Sequence, residues 1–253
     1  MTKNTPKAAR EFIIKAYDSD LPDDRVIAME ELSNNIESFL KYASMLKFGM
    51  KNITKFGPDI VNMAKKMGYE VFYDMKFFDI SNSVGEAVYE ATKLGVKMIN
   101  VHAIGCKKMM IAAIHGREVA LQENPKLKRP ILLAVTVLTS ISQDEFNNEI
   151  GIPGSIADTV LRYSISTAEV GFDGVVCSGQ EVKRLRNEPK IPNDFILVTP
   201  GIRQKGGSDD DQERITTPTV AIKDGSNFLV VGRPIKSLEG AQKVFQEVTE
   251  AIN

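Results

Sequence analysis

Residues 73–80 read Y-D-M-K-F-F-D-I and bring Asp74, Lys76 and Asp79 close together where an apolar run ends. Side chains two apart on a strand point to the same face, so Asp74 and Lys76 are expected to share one. Two acids and a base in poorly solvated space are expensive to desolvate. Such a group can orient a proton donor and meet charge that develops during a reaction. Other polar residues end apolar runs in the same way: Asp18 in A-Y-D, Lys47 in S-M-L-K-F-G, His102 in N-V-H-A and Thr139 in V-L-T-S. Arg203 ends T-P-G-I-R, and Arg233 follows Gly232 in V-V-G-R-P-I. Glycine and then arginine after a strand, with a helix start behind, suits a phosphate: backbone N–H groups approach it and the guanidinium donates in a fork. A phosphorylated small substrate is therefore expected. The chain has only two histidines, His102 and His115, and no H-E-x-x-H or similar cluster, so neither a histidine relay nor a metal centre is indicated. His102 reads equally well as hydrogen-bonded packing.

These residues need elements to position them. Short apolar runs at 12–17, 44–49, 70–75, 96–102, 130–138, 173–177, 195–199 and 227–232 alternate with helix-period segments. The helical segments span Asp23 to about Tyr42, the stretch between Gly57-Pro58 and Gly68, Ser81–Leu94, Lys107–Gln122, Ile156–Val170, Gln180–Arg186 and Leu238–Ile252. Near-continuous apolar strands indicate burial on both faces, as parallel sheets require. Eight such strands, each followed by a helix or room for one, predict a single-domain α/β (β/α)8 TIM barrel over residues 1–253, with residues 1–11 as a polar extension. A doubly wound open sheet is disfavoured, because no G-x-G-x-x-G follows the first strand. In a barrel, catalytic groups gather at the C-terminal strand ends, where the polar residues above fall. The polar interval 202–214 after the seventh strand is long and rich in Gly and Asp, which reads as functional.

The 253 residues are 43% hydrophobic and 26% charged, with a formal net charge of −1. That balance gives no electrostatic reason to expect nucleic acid or a membrane surface. Cys106 and Cys177 form no disulfide framework or zinc spacing and read as two buried thiols in a reducing cytosol. Met63 and Met67 read as core. The N-terminus is too polar for a secretory signal, and no apolar run approaches a membrane span, so a cytoplasmic location is expected.

D-M-K-F-F-D-I resembles the D-x-K-x-x-D signature of the orotidine 5′-phosphate decarboxylase family. The likeness continues through I-I-K-A-Y-D, L-K-F-G-M, N-V-H-A-I-G-C-K-K-M-M, A-V-T-V-L-T-S, D-G-V-V-C-S, V-T-P-G-I-R and V-V-G-R-P-I, in order, from about residue 12 to the C-terminus. The resemblance implies decarboxylation of orotidine 5′-phosphate to uridine 5′-phosphate, with no metal and no organic cofactor. It makes Lys76 the proton donor to C6 and sets Asp74 against the substrate carboxylate. Lys47 and Asp18 then hold the ribose hydroxyls, and Thr139 contacts the pyrimidine. Arg203, Gln212, Gly232 and Arg233 bind phosphate and close the loop over it. Asp79 acts in the neighbouring subunit's site, which implies a homodimer. The sequence departs from the usual D-I-P-x-T, with Ser81 for proline and Ser83 for threonine, although Ser83 keeps a hydroxyl for substrate binding. The first strand carries A-Y-D where a smaller apolar residue is usual, and Asp20–Ser33 is longer than in compact members.

Three other readings are open. A metal-dependent keto-sugar-phosphate decarboxylase or hexulose-phosphate synthase shares D-x-K-x-x-D. A silent nucleotide-binding barrel would have no need of the charge cluster. A Schiff-base aldolase needs a neutral lysine, which flanking carboxylates oppose.

Overall fold

A computed structural model describes residues 8–17, 22, 25–203 and 214–253. Eight parallel strands close into a barrel in sequence order, from β1 beside β2 round to β8 beside β1. They are β1 Ile13–Ala16, β2 Met45–Gly49, β3 Glu70–Phe77, β4 Met98–His102, β5 Ile131–Val135, β6 Gly174–Val176, β7 Ile196–Thr199 and β8 Phe228–Val231. Around them run α1 Ala9–Phe12, α2 Arg25–Glu37, α3 Met50–Phe56, α4 Asp59–Lys66, α5 Ser81–Lys93, α6 Cys106–Glu123, α7 Ile156–Glu169, α8 Gly179–Arg186, α9 Pro218–Asp224 and α10 Leu238–Ile252.

Alternation along each strand divides the apolar residues between two compartments. Ile14, Ala16, Met45, Phe72, Met98, Leu133, Val198 and Val230 fill the barrel interior. The intervening residues, such as Ile13, Leu46, Val71, Ile99, Leu132 and Leu229, face the helical layer. Burial on both faces explains why the strands read as continuous apolar runs.

The predicted strands all form. The helical prediction is incomplete: α3 follows β2 directly and is separated from α4 by Gly57, whose φ is 63°. The segment that begins near Asp23 is helical only to Glu37, and α9 fills the space after β7. Met63 and Met67 pack against the core. Cys177 is buried, but Cys106 is exposed, so the expected pair of buried thiols is corrected to one. Cys106 starts α6 at the surface, with a φ of 66°. Among the described residues, no helix is long and apolar enough to cross a membrane.

Candidate active site

The C-terminal ends of the strands open into a cavity of about 300 Å³. Ala16, Phe72, Val176 and Val230, from four strands, are among its apolar lining. Lys47, Asp74, Lys76, Thr139, Arg203, Gly232 and Arg233 line it as well, each delivered by a different strand end except for the Asp74–Lys76 and Gly232–Arg233 pairs.

Asp74 is the centre of the charge cluster and is 5% exposed. Lys47 Nζ lies 2.8 Å from its Oδ2, and Lys76 Nζ lies 2.9 Å from its Oδ1. Asn100 Nδ2 also donates to Oδ1, at 2.6 Å. Burial alone would push this carboxyl up, but the two ammonium groups and their hydrogen bonds outweigh it and hold Asp74 below the usual carboxylate range. Two lysines therefore share one buried acid. Asp79 is exposed on the far side of the β3 end, and its Oδ1 accepts from the Ile80 N–H at 2.6 Å. It does not line the cavity of its own chain.

Alternation puts Lys76 on the same face as Asp74, but β3 is irregular where the pair sits. The pairing of β3 with β4 shifts register between Tyr73 and Phe77, and Lys76 has a φ of 50°. A non-glycine residue in the left-handed region costs about 1–2 kcal/mol and persists only when its surroundings hold it there. Asn100 on β4 does so: its Oδ1 accepts from the Lys76 backbone N–H at 2.8 Å while its amide nitrogen holds Asp74. The sequence reading missed Asn100. Its signal was a lone amide inside the apolar strand M-I-N-V-H, a position that must find partners when buried.

On the opposite side of the mouth, Thr139 and Arg203 are nearly buried, at 8% and 9% exposure. The turn after β7 depends on Gly201, whose φ of 73° suits glycine. Gly232 and Arg233 follow β8, and Arg233 opens a short 3-10 turn with Pro234 and Ile235. Behind that turn, the buried Lys15 donates to the Ile235 carbonyl at 2.6 Å. Cys177 also lines the cavity, and burial pushes its thiol up, away from nucleophilic use.

Not every predicted site residue joins this set. Asp18 and Gln212 lie outside the described residues, as does most of the 202–214 segment. Ser83 sits in the first turn of α5 and does not line the cavity. His102 lines an adjacent apolar cavity, its ring 6.0 Å from that of Phe78. Burial, and then the nearby Lys76 charge, push His102 down, against the weaker pull of Asp74. Among the described residues, no three His, Cys, Asp or Glu side chains are grouped to hold a metal ion.

Residues 20–247 match the model of the orotidine 5′-phosphate decarboxylase / HUMPS family. The orotidine 5′-phosphate decarboxylase of Hahella chejuensis is 47% identical over 207 residues, covering 80% of this chain and 85% of that one. That of Heliobacterium modesticaldum is 35% identical over 248 residues, covering 96% and 98%. A crystal structure of orotidine 5′-phosphate decarboxylase from Lactobacillus acidophilus superposes with a TM-score of 0.78, at 34% identity, over 96% of this chain and 99% of that one.

Proposed function

The chain belongs to the orotidine 5′-phosphate decarboxylase / HUMPS family, and we propose that it decarboxylates orotidine 5′-phosphate to uridine 5′-phosphate and CO2, the last step of pyrimidine nucleotide synthesis. The observation that carries this reading is the lysine–aspartate–lysine row, built on buried Asp74, in a cavity that two arginines also line. Arg203 and Arg233, with the backbone at Gly232, grip the 5′-phosphate. Thr139 contacts the pyrimidine, and Lys47 holds the ribose together with Asp18. Gln212 completes the phosphate grip.

In this mechanism the C6–carboxylate bond breaks heterolytically, and the electron pair stays on C6 as CO2 leaves. The Lys76 ammonium then delivers a proton to C6, and solvent restores its proton. Two like charges about 4 Å apart repel by roughly 4 kcal/mol at an effective dielectric of 20. Enzymatic accelerations need about 8–23 kcal/mol, so repulsion between Asp74 and the substrate carboxylate is too small to be the cause. It is further offset here, because Asp74 is already shared by two cations. The larger share comes from Lys76, fixed by Asp74 before the substrate arrives, meeting negative charge that grows on C6. Phosphate contacts remote from the ring supply binding energy that orders the site.

Asp79 is proposed to act in a neighbouring subunit's cavity, in a homodimer, and Ser83 to bind substrate through its hydroxyl. Exposed Phe78 (60%), Ile80 (72%) and Ile104 (41%) beside and near it form an apolar surface suited to such burial. No metal or organic cofactor is required, and the whole chain acts as one catalytic unit in the cytoplasm. The test is loss of orotidine 5′-phosphate absorbance in metal-free buffer with and without EDTA. Turnover unaffected by the chelator is expected. Activity that needs a divalent cation would favour a sugar-phosphate reaction of the wider family.

A further inference from the structure

Arg214 does not line the active-site cavity, yet it ties the cavity's walls together. Its side chain is nearly buried, at 9% exposure. Nη1 pairs with Glu181 Oε1 at the start of α8. Nη2 donates to the carbonyls of Val137 and Leu138, at 3.0 Å each. The Arg214 carbonyl accepts from Ser178 Oγ at 3.3 Å. Two residues on, Thr216 pairs with the turn after β7: its carbonyl accepts from the Arg203 N–H at 2.9 Å, and its N–H donates to the Gly201 carbonyl at 3.2 Å. Gly179 permits this approach, since a Cβ there would overlap the Thr216 side chain.

Arg214 itself thus holds the carbonyls of Val137 and Leu138, while the Thr216 backbone, two residues on, holds Gly201 and Arg203. Val137, Leu138, Thr139 and Ser140 form the wall after β5, and Gly201 and Arg203 form the wall after β7. A buried guanidinium is costly unless paired and hydrogen-bonded, and a planar fork can serve one carboxylate and two carbonyls in fixed directions, as a lysine cannot. Among the described residues Nε has no hydrogen-bond partner, so the arrangement keeps part of that cost.

We infer that Arg214 is a positioning residue for the proposed reaction: it holds the pyrimidine-side wall at Leu138–Thr139 and the phosphate-side Arg203 in one frame. Gripping the phosphate and aligning the ring over Lys76 are thereby set together. The inference rests on the function proposed above, with Thr139 and Arg203 as substrate contacts.

The experiment measures steady-state kinetics with orotidine 5′-phosphate, alongside thermal denaturation, for Arg214→Met, Arg214→Lys, Thr139→Ala and the Arg214→Met/Thr139→Ala double variant. Arg117→Met is the comparator. Arg117 is a fully buried guanidinium at the other end of the barrel, bonded to Asp173 and to the Pro130 carbonyl. Arg214→Met is expected to lose about tenfold or more in kcat/KM, and clearly less than that when Thr139 is already Ala. Arg117→Met is expected to melt earlier yet keep wild-type kcat/KM below its transition. Wild-type kcat/KM in Arg214→Met, or a loss unchanged by Thr139→Ala, would overturn the inference. If Arg214→Met does not fold, Arg214→Lys decides, because it keeps the charge and loses the fork, and wild-type kinetics there overturns the inference as well. A wild-type chain without turnover removes the proposed function and this inference together, whereas an active wild type with unaffected Arg214 variants removes this inference alone.

Discussion

Asp74 accepts from three donors, and each bond has its own consequence. Lys76 is the one proposed to protonate C6. Lys76→Ala is expected to reduce turnover to near background while a uridine 5′-phosphate titration shows binding largely kept, since the proposed phosphate contacts are made by other residues, Arg203 and Arg233. Unchanged turnover would take Lys76 out of the mechanism. Asn100 supports both partners, so Asn100→Ala leaves Asp74 and the Lys76 N–H each short of a bond. About 1–3 kcal/mol of stability should be lost, read by denaturant unfolding, with a fall in kcat that exceeds any rise in KM. The acidity of Asp74 gives a pH test. Its folded pKa lies below the unfolded value of 3.8, so its contribution to stability is complete above that value and is lost as pH falls through the folded pKa. The stability gap between wild type and Asp74→Asn should therefore stay flat from about pH 8 to pH 5 and change only in stronger acid.

At the scale of elements, the end of β3 departs from a regular strand where it carries the Asp74–Lys76 pair. The register shift and the left-handed backbone lie where Lys76 meets the Asp74 carboxylate, and β4 supplies the amide that holds the distortion. Bulges next to active sites commonly re-aim side chains in this way. The turn after β7 is a second such device. Gly201→Ala forces a Cβ into a φ of 73°, with an expected cost of about 1–2 kcal/mol. Because Arg203 lies two residues on, weaker binding of uridine 5′-phosphate in calorimetry should accompany the lower melting temperature. A variant less stable but with unaltered affinity would separate the turn from the phosphate grip.

At the scale of the molecule, the closed barrel brings residues from positions 47 to 233 to one mouth, while Asp79 stays outside it. If Asp79 completes a partner's site, Asp79→Asn and Lys76→Ala chains mixed under exchanging conditions form heterodimers with one intact site each. Random pairing predicts recovery of about a quarter of wild-type activity from two nearly inactive preparations. No recovery, with subunit exchange verified, would place Asp79 elsewhere. Arg233→Ala should raise KM and lower kcat/KM, because it removes binding energy far from the ring.

The sequence by itself determined the strands, their parallel closure and the polar residue at nearly every strand end, because burial on both faces writes continuous apolar runs with abrupt polar stops. It located Lys47, Asp74, Lys76, Thr139, Arg203 and Arg233 for the same reason. Short helices were less legible: α3 and α9 have seven residues each, too few for a clear period. Tertiary structure alone decided that Asn100 clamps Asp74 and the Lys76 backbone, and that Arg214 spans Glu181 on α8 and the carbonyls of Val137 and Leu138. Those outcomes depend on a local break in strand geometry and on hydrogen bonds between residues far apart in the chain. Neither leaves a periodic trace in the order of amino acids.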